Sequence, residues 1–278
     1  MGKSNKVNVC IIDNGVFIEK DNKLIYDLEI NINNQIQVYK DNRTSPNSHG
    51  TICSKIIKKY YSQVNLSSIC ICKESVFKAN INQLQKALTF CKKIKFDVIH
   101  MSIGTTYYSD ISKIIDCVNE INTHGTIIIA ACNNSNIFSI PASLPCVIGV
   151  CTKRDIDGKY HEINKKSCDG IDYIASSRHL IDGKLTPSSN SYSAPYITAK
   201  VCQYLSENPK ADTNEVREYL NSNAVNYLGE AVLDRSGLIH SNPAELDNWY
   251  GSVRKTRDIE NPVVCSNFAS VLQKPLFQ

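Results

Sequence analysis

The feature that most restricts this chain is a rhythm. Short runs rich in Val and Ile recur, and helix-period segments lie between them. Val7 to Ile12, Leu66 to Cys72, Phe96 to Met101, Thr126 to Ala131, Cys146 to Cys151 and Ile171 to Ala175 are apolar runs of strand length. Continuous rather than alternating apolar character predicts strands covered on both faces of a parallel sheet. Between them, Leu84, Ala87, Leu88 and Cys91 follow the i, i+3, i+4, i+7 spacing of one helix face, as do Ile111, Ile114, Ile115 and Val118. Asp110 is expected to cap the second of these helices, and a further helix is expected after Asp212 or Thr213, with Val216 and Leu220 inward. Strands alternating with helices predict an α/β fold: a doubly wound, mostly parallel sheet with helices on both faces.

Composition narrows the function classes. Lys and Arg number 31 against 27 Asp and Glu, a net charge of +4, too mild to make nucleic acid the expected partner. No apolar run approaches the roughly 18 residues of a membrane span, so no membrane association is expected. Met1 to Asn8 is polar and basic, without the apolar stretch of a secretory signal, and a cytoplasmic location is expected. The 12 cysteines fit that expectation as reduced, buried thiols. Most sit in apolar stretches, and there is no C-x-x-C knuckle of the kind structural zinc sites favour. No metal and no cofactor are expected.

Four short segments carry candidate chemistry, and each alone has an ordinary explanation. Asp13-Asn14-Gly15 ends a strand; it reads as a turn, or as a carboxylate where open α/β sheets place their sites. Ser48-His49-Gly50-Thr51 opens a helix, so Ser48 reads as a cap and His49 as incidental or as a base that small neighbours leave approachable. His100, inside a buried strand, reads as structural. Ser102-Ile103-Gly104 and Ala130-Ala131-Cys132-Asn133 close two strands; the first can pair with an extended peptide, and Asn133 is either a turn residue or an amide donor to a developing oxyanion. Ser189 to Pro195 leads into a helix, where Ser191 is either part of a polar cap or a nucleophile at the positive end of the dipole.

Together these segments resemble subtilisin-like serine peptidases. Asp, His, Ser is that family's order of triad residues. IIDNGV is similar to its D-[ST]-G block, SHGT to H-G-T, SIG to S-x-G, AACN to A-A-G-N and NSYSAP to G-T-S-M-A-S-P. PASLPCVIGV, GIDYIAS, NPKADTNEVREYL and SGLIHSNPA resemble further family stretches, and the likeness spans about residues 6 to 244. The resemblance implies a serine endopeptidase with catalytic residues Asp13, His49, Ser191 and Asn133. It implies a peptide or protein substrate bound as an extended strand along Ser102, Ile103 and Gly104, with Ala131, Cys132 and Ser139 at the P1 pocket. Departures are Ser189 and Asn190 for Gly and Thr, Cys132 for Gly, and Tyr196 for His.

Two further expectations follow from the likeness. Only twelve residues precede Asp13, so no folding propeptide is expected, and Tyr60 to Asn65 is too short for the calcium loop of many relatives. The reading is therefore a monomeric, cytoplasmic processing protease, comparable to enzymes that remove leader peptides. An inactive subtilisin-like binding protein and a peptide ligase or macrocyclase are the alternatives. Residues 1–244 are expected to form the catalytic domain. Residues 245–278, with Val264, Phe268, Val271 and Leu272 on one helical face, are expected to form an extension packed on it, structural or restraining access to the cleft.

Overall fold

The computed structural model describes residues 6–18, 23–39, 45–72, 79–135, 137–153, 160–165, 170–226 and 241–248. Its strands are β1 (Val7–Asp13), β2 (Asp27–Ile30), β3 (Ile36–Val38), β4 (Val64–Cys70), β5 (Val98–Met101), β6 (Ile127–Ala131), β7 (Ile148–Cys151), β8 (His161–Ile163) and β9 (Tyr173–Ala175). A small hairpin, β10 (Leu180–Ile181) with β11 (Lys184–Leu185), stands apart. The helices are α1 (His49–Tyr60), α2 (Ile81–Ile94), α3 (Ile111–Thr123), α4 (Asn190–Glu207) and α5 (Thr213–Ser222).

The sheet runs β3-β2-β4-β1-β5-β6-β7-β9-β8. Only the outer pairs, β2 with β3 and β8 with β9, are antiparallel. This is the expected α/β, mostly parallel sheet, and the antiparallel edges are its addition. Residues 27–38 gave no continuous apolar run, because β3 is solvent-exposed along its length.

Alternate side chains of the central strands feed two cores. Val9 and Ile11 join Ile57 of α1, Ile197 and Val201 of α4, and Val216 and Leu220 of α5 on one face. Cys10 and Ile12 join Leu84 and Leu88 of α2 and Ile114 and Val118 of α3 on the other. The crossover through α1 carries the chain from β1 to β4 on one side. The crossover through α2 then returns it past β1 to β5 on the other side. That reversal opens a crevice at the carboxyl ends of β1 and β5, where doubly wound sheets place ligands.

One local expectation needs correction. Asp110 precedes α3 but caps nothing with its side chain, because a 3-10 turn (Tyr108–Asp110) already holds it in helical backbone, φ −81° and ψ −15°. Its carboxylate instead accepts from the Thr105 hydroxyl at 2.9 Å and pairs with Lys113 at 3.0 Å. Asp212 does cap α5, accepting from the N–H groups of Asn214 and Glu215, with Glu215 returning the bond.

The ten described cysteines are thiols rather than disulfide partners, and eight of them are buried. No described helix is long and apolar enough to cross a membrane. Of the C-terminal extension, Leu246 is buried in the α2/α3 core, and Tyr108 donates to the Asp247 carboxylate at 2.6 Å. Val264, Phe268, Val271 and Leu272 lie outside the described residues.

Candidate active site

The crevice is built from ends of elements. β1 delivers Asp13, and the turn after it is stitched to the start of α1. The Asn14 side chain accepts from the Gly50 N–H at 2.9 Å, Ser48 donates to the Gly15 carbonyl at 3.3 Å, and the Phe17 N–H donates to Thr51 at 2.8 Å. The two backbones touch so closely that a Cβ on Gly50 would sit 2.6 Å from the Gly15 carbonyl oxygen. Gly15 itself has φ +96°, a conformation that side chains resist. This seam places His49 over Asp13.

His49 Nδ1 lies 3.0 and 2.9 Å from the two Asp13 carboxylate oxygens. A carboxylate can only accept, so Nδ1 carries the hydrogen and Nε2 is left as the basic nitrogen. The electrostatics agree. Burial pushes Asp13 up, but the His49 ring, their hydrogen bond and the Asn14 N–H outweigh it and hold the carboxyl below its ordinary range. Burial likewise pushes His49 down, and the Asp13 anion overturns it, so His49 stays protonated well above its ordinary 6.5.

Ser191 is the second residue of α4, on the far side of the same crevice. The Cys53 thiol spans the gap, 3.9 Å from His49 Nδ1 and 3.7 Å from the Ser191 carbonyl oxygen. The ring of Tyr192 lies 5.0 Å from that of His49. The Ser191 hydroxyl forms no hydrogen bond to His49 in this structure; such contacts commonly tighten only when substrate binds. The Ser191 N–H is engaged by the Ser189 hydroxyl at 3.3 Å, a long bond that a Gly at position 189 would not make.

Asn133 sits at the end of β6 and is fixed by its neighbours. Its N–H donates to Ser139 at 3.1 Å, and its carbonyl accepts from the Asn190 amide at 2.7 Å. Its side-chain oxygen accepts the Ser135 N–H at 2.8 Å, which leaves the amide NH₂ as the free donor. Asn190 also accepts the Thr152 N–H at 2.8 Å, so one buried amide joins the ends of β6 and β7 to the start of α4.

Ser102, Ile103, Gly104, Ala131, Cys132 and Ser139, the expected substrate-binding residues, line one small cavity of about 30 Å³, together with Thr106 and Asn133. Among the described residues, one group of His, Cys, Asp or Glu has ligand atoms close enough for a metal: Asp13, His49 and Cys53, within 4.8 Å. Two of those atoms already bond to each other, so an ion there would have to break the Asp13–His49 pair.

Sequence reasoning passed over Asn14, Cys53, Thr106 and the clamp made by Asn190. Asn14 lay inside the IIDNGV segment, and its side chain shows its use only once Gly50 is packed against it.

The family model described as the subtilase family matches residues 4–251. No curated protein matches the sequence. Among solved structures the chain is similar to the S41 psychrophilic protease, at 17% identity over 79% of this chain and 83% of that one, TM-score 0.61. It is similar to a lanthipeptide protease at 16% identity, covering 90% and 87%, TM-score 0.60. It is also similar to the nisin leader peptidase NisP from Lactococcus lactis at 14% identity, covering 88% and 87%, TM-score 0.61. At such identities these likenesses speak for the fold.

Proposed function

This chain belongs to the subtilase family and is a serine peptidase, a hydrolase of peptide bonds, and on that premise we propose that it is a cytoplasmic endopeptidase that trims a leader segment from a precursor peptide. The observation that carries the catalytic part is the two-oxygen hold of Asp13 on His49 Nδ1, at 3.0 and 2.9 Å, across the crevice from the start of α4.

In this reading the substrate lies extended along Ser102 to Gly104 as an added strand. Ser191 Oγ attacks the scissile carbonyl, and its proton passes to His49 Nε2. Asp13 stabilises the imidazolium that results. The amide of Asn133 and the Ser191 N–H, released from Ser189, hold the oxyanion. The C–N bond breaks as His49 returns the proton to the leaving amine. Water then enters, gives a proton to His49 and its hydroxide to the acyl carbon, and Ser191 regains its hydrogen.

In this reading the P1 side chain enters the cavity lined by Ala131, Cys132 and Ser139, and the side chains narrowing it favour small P1 residues such as Ala or Ser. Two of the similar structures are titled a lanthipeptide protease and a leader peptidase, which supports the leader-trimming reading. That the described cysteines are thiols, most of them buried, supports a reducing compartment.

The test is mass spectrometry of peptides incubated with the purified chain and with Ser191→Ala. Cleavage by the first and not the second, with an organophosphonate adduct on Ser191, is the expected result. Cyclised product, untouched peptide, or cleavage by Ser191→Ala would each overturn the reading. Cleavage after large P1 residues in preference to small ones would overturn the pocket assignment.

A further inference from the structure

α4 contains a proline where helices rarely tolerate one. Pro195 has no N–H, so the carbonyl of Ser191, four residues earlier, loses the partner the helix would have supplied. The residue is 2% exposed, so water is a poor substitute. A buried carbonyl without a donor is costly, and another donor must be found. It is the Ser102 hydroxyl, at 3.0 Å. The Cys53 thiol is a weaker second donor, at 3.7 Å.

Ser102 in turn touches His100. His100 Nε2 lies 3.1 Å from Ser102 Oγ, and His100 Nδ1 lies 2.8 Å from Thr198 Oγ1 on the third turn of α4. His100 is fully buried at the middle of β5. Burial, opposed by the Asp13 anion, brings its pKa down to about 4, so the ring is neutral and carries a single N–H.

The position of that hydrogen decides where the Ser102 hydroxyl points, because a hydroxyl has one hydrogen to give. With the hydrogen on Nε2, His100 donates to Ser102, and Ser102 must turn its own hydrogen to the Ser191 carbonyl. Thr198 then turns its hydrogen to Nδ1 and away from the Ala194 carbonyl, 3.0 Å off, which keeps the helix N–H of Thr198 as its donor, whereas the Ser191 carbonyl has no helix donor to fall back on. With the hydrogen on Nδ1, His100 donates to Thr198, Thr198 donates to the Ala194 carbonyl at 3.0 Å, Ser102 is drawn back to Nε2, and the Ser191 carbonyl keeps only the thiol.

We propose that His100 is a positioning residue for the nucleophile: in its Nε2–H form it locks the Ser102 hydroxyl onto the Ser191 carbonyl left open by Pro195. Because Ser102 also opens the Ser102–Gly104 peptide-binding edge, the same bond fixes the distance between that edge and the nucleophile. The proposal rests on Ser191 being the nucleophile.

The substitutions follow from side-chain reach. Gln places an amide N–H near the Nε2 position, Asn places one near Nδ1, and Leu supplies neither. We expect His100→Leu and His100→Asn to lower kcat per titrated site at least tenfold, with KM within about twofold. His100→Gln is expected to return to within about threefold of the parent. Ser102→Ala is expected to lose as much as His100→Leu, and the double variant no more than either. The rate of Ser191 labelling by a fluorophosphonate, which needs no peptide, is expected to follow the same order.

Equal effects of Gln and Asn, additive losses in the double variant, or a change in KM alone would overturn the proposal. The nitrogen shifts of the His100 ring in the unsubstituted protein provide a test that needs no variant to fold. A hydrogen on Nε2 supports the proposal, and one on Nδ1 overturns it. If the parent itself neither labels at Ser191 nor cleaves, it is the assignment of the nucleophile that fails, and the ring shifts still decide the hydrogen-bond chain.

Discussion

Acid should expose His100 through stability before it does so through activity. The folded ring titrates at about 4 because burial disfavours its charged form, a loss only partly offset by the Asp13 anion and deepened by His49. In the unfolded chain the same ring titrates near the ordinary value of about 6.5. Its folded pKa is depressed, so its contribution is fully present above pH 6.5 and is lost as pH falls toward 4. Each unit of difference is worth about 1.4 kcal/mol, and between pH 7.5 and 4.5 the loss comes to about 2.5 kcal/mol. In a domain of this size that is roughly 5–10 °C in melting temperature. The assay is thermal and urea unfolding at both pH values, followed by circular dichroism, in a Ser191→Ala background that excludes self-digestion. His100→Gln keeps a donor near Ser102 and cannot titrate, so acid-sensitive groups other than Asp13 and His49, which are coupled to the ring, cancel in the comparison. The His100 chain should lose about 2.5 kcal/mol more than the Gln chain on acidification. Equal losses, or a larger loss in the Gln chain, would refute the reasoning.

Other outcomes can be checked in the same background or with active enzyme. Asn133→Ala should lower kcat by roughly 100- to 1000-fold with little change in KM, measured by steady-state peptide cleavage, since its amide is the free donor at the end of β6. On the proposed mechanism, with neutral His49 as the base, the acidic limb of kcat/KM should rise with pH through a pKa above 6.5, because the Asp13 anion raises it; Asp13→Asn should move that limb to lower pH while reducing the rate. Ser189→Ala should cost about 1 kcal/mol of stability as a lost N-cap without lowering kcat, because the Ser189 hydroxyl engages the Ser191 N–H that an oxyanion needs. Leu246→Ala should destabilise the fold by about 2–3 kcal/mol in urea unfolding, reflecting its burial against the α2/α3 core. An unchanged midpoint would mean that residues 243–248 are dispensable to the domain.

The parts of this molecule that could be read from sequence are those whose signal is local. The buried strands announced themselves as unbroken Val and Ile runs, because a strand covered on both faces has no polar side to show. Ser48, Asp212 and the positions of Asp13, His49, Asn133 and Ser191 lie in short segments with their own turn or cap chemistry. What was hidden depends on partners far along the chain. His100 reads as an ordinary core histidine until Ser102 and Thr198, the latter 98 residues away, are brought to its two nitrogens. Asn190 reads as a cap residue until it meets the Asn133 carbonyl, 57 residues upstream. Asp110 shows the opposite failure: a good capping residue in sequence, diverted by a 3-10 turn and by Thr105. The β2–β3 edge went unseen because an exposed strand carries no apolar run.

The proline in α4 also has a meaning in time. The carbonyl of Ser191 is completed from Ser102, just past β5, and from α1 rather than from its own helix, across separations of 89 and 138 residues. A ribosome adds about 5–20 residues each second, so on the order of ten seconds of synthesis pass between the emergence of Cys53 and that of Ser191. Throughout that interval the Asp13–His49 pair has nothing to act with. The first turn of α4 gains its last hydrogen bond only when the sheet beneath it is already in place. A half-made or half-melted chain therefore holds the parts of a protease without its cutting edge, and its neighbours on the ribosome are spared.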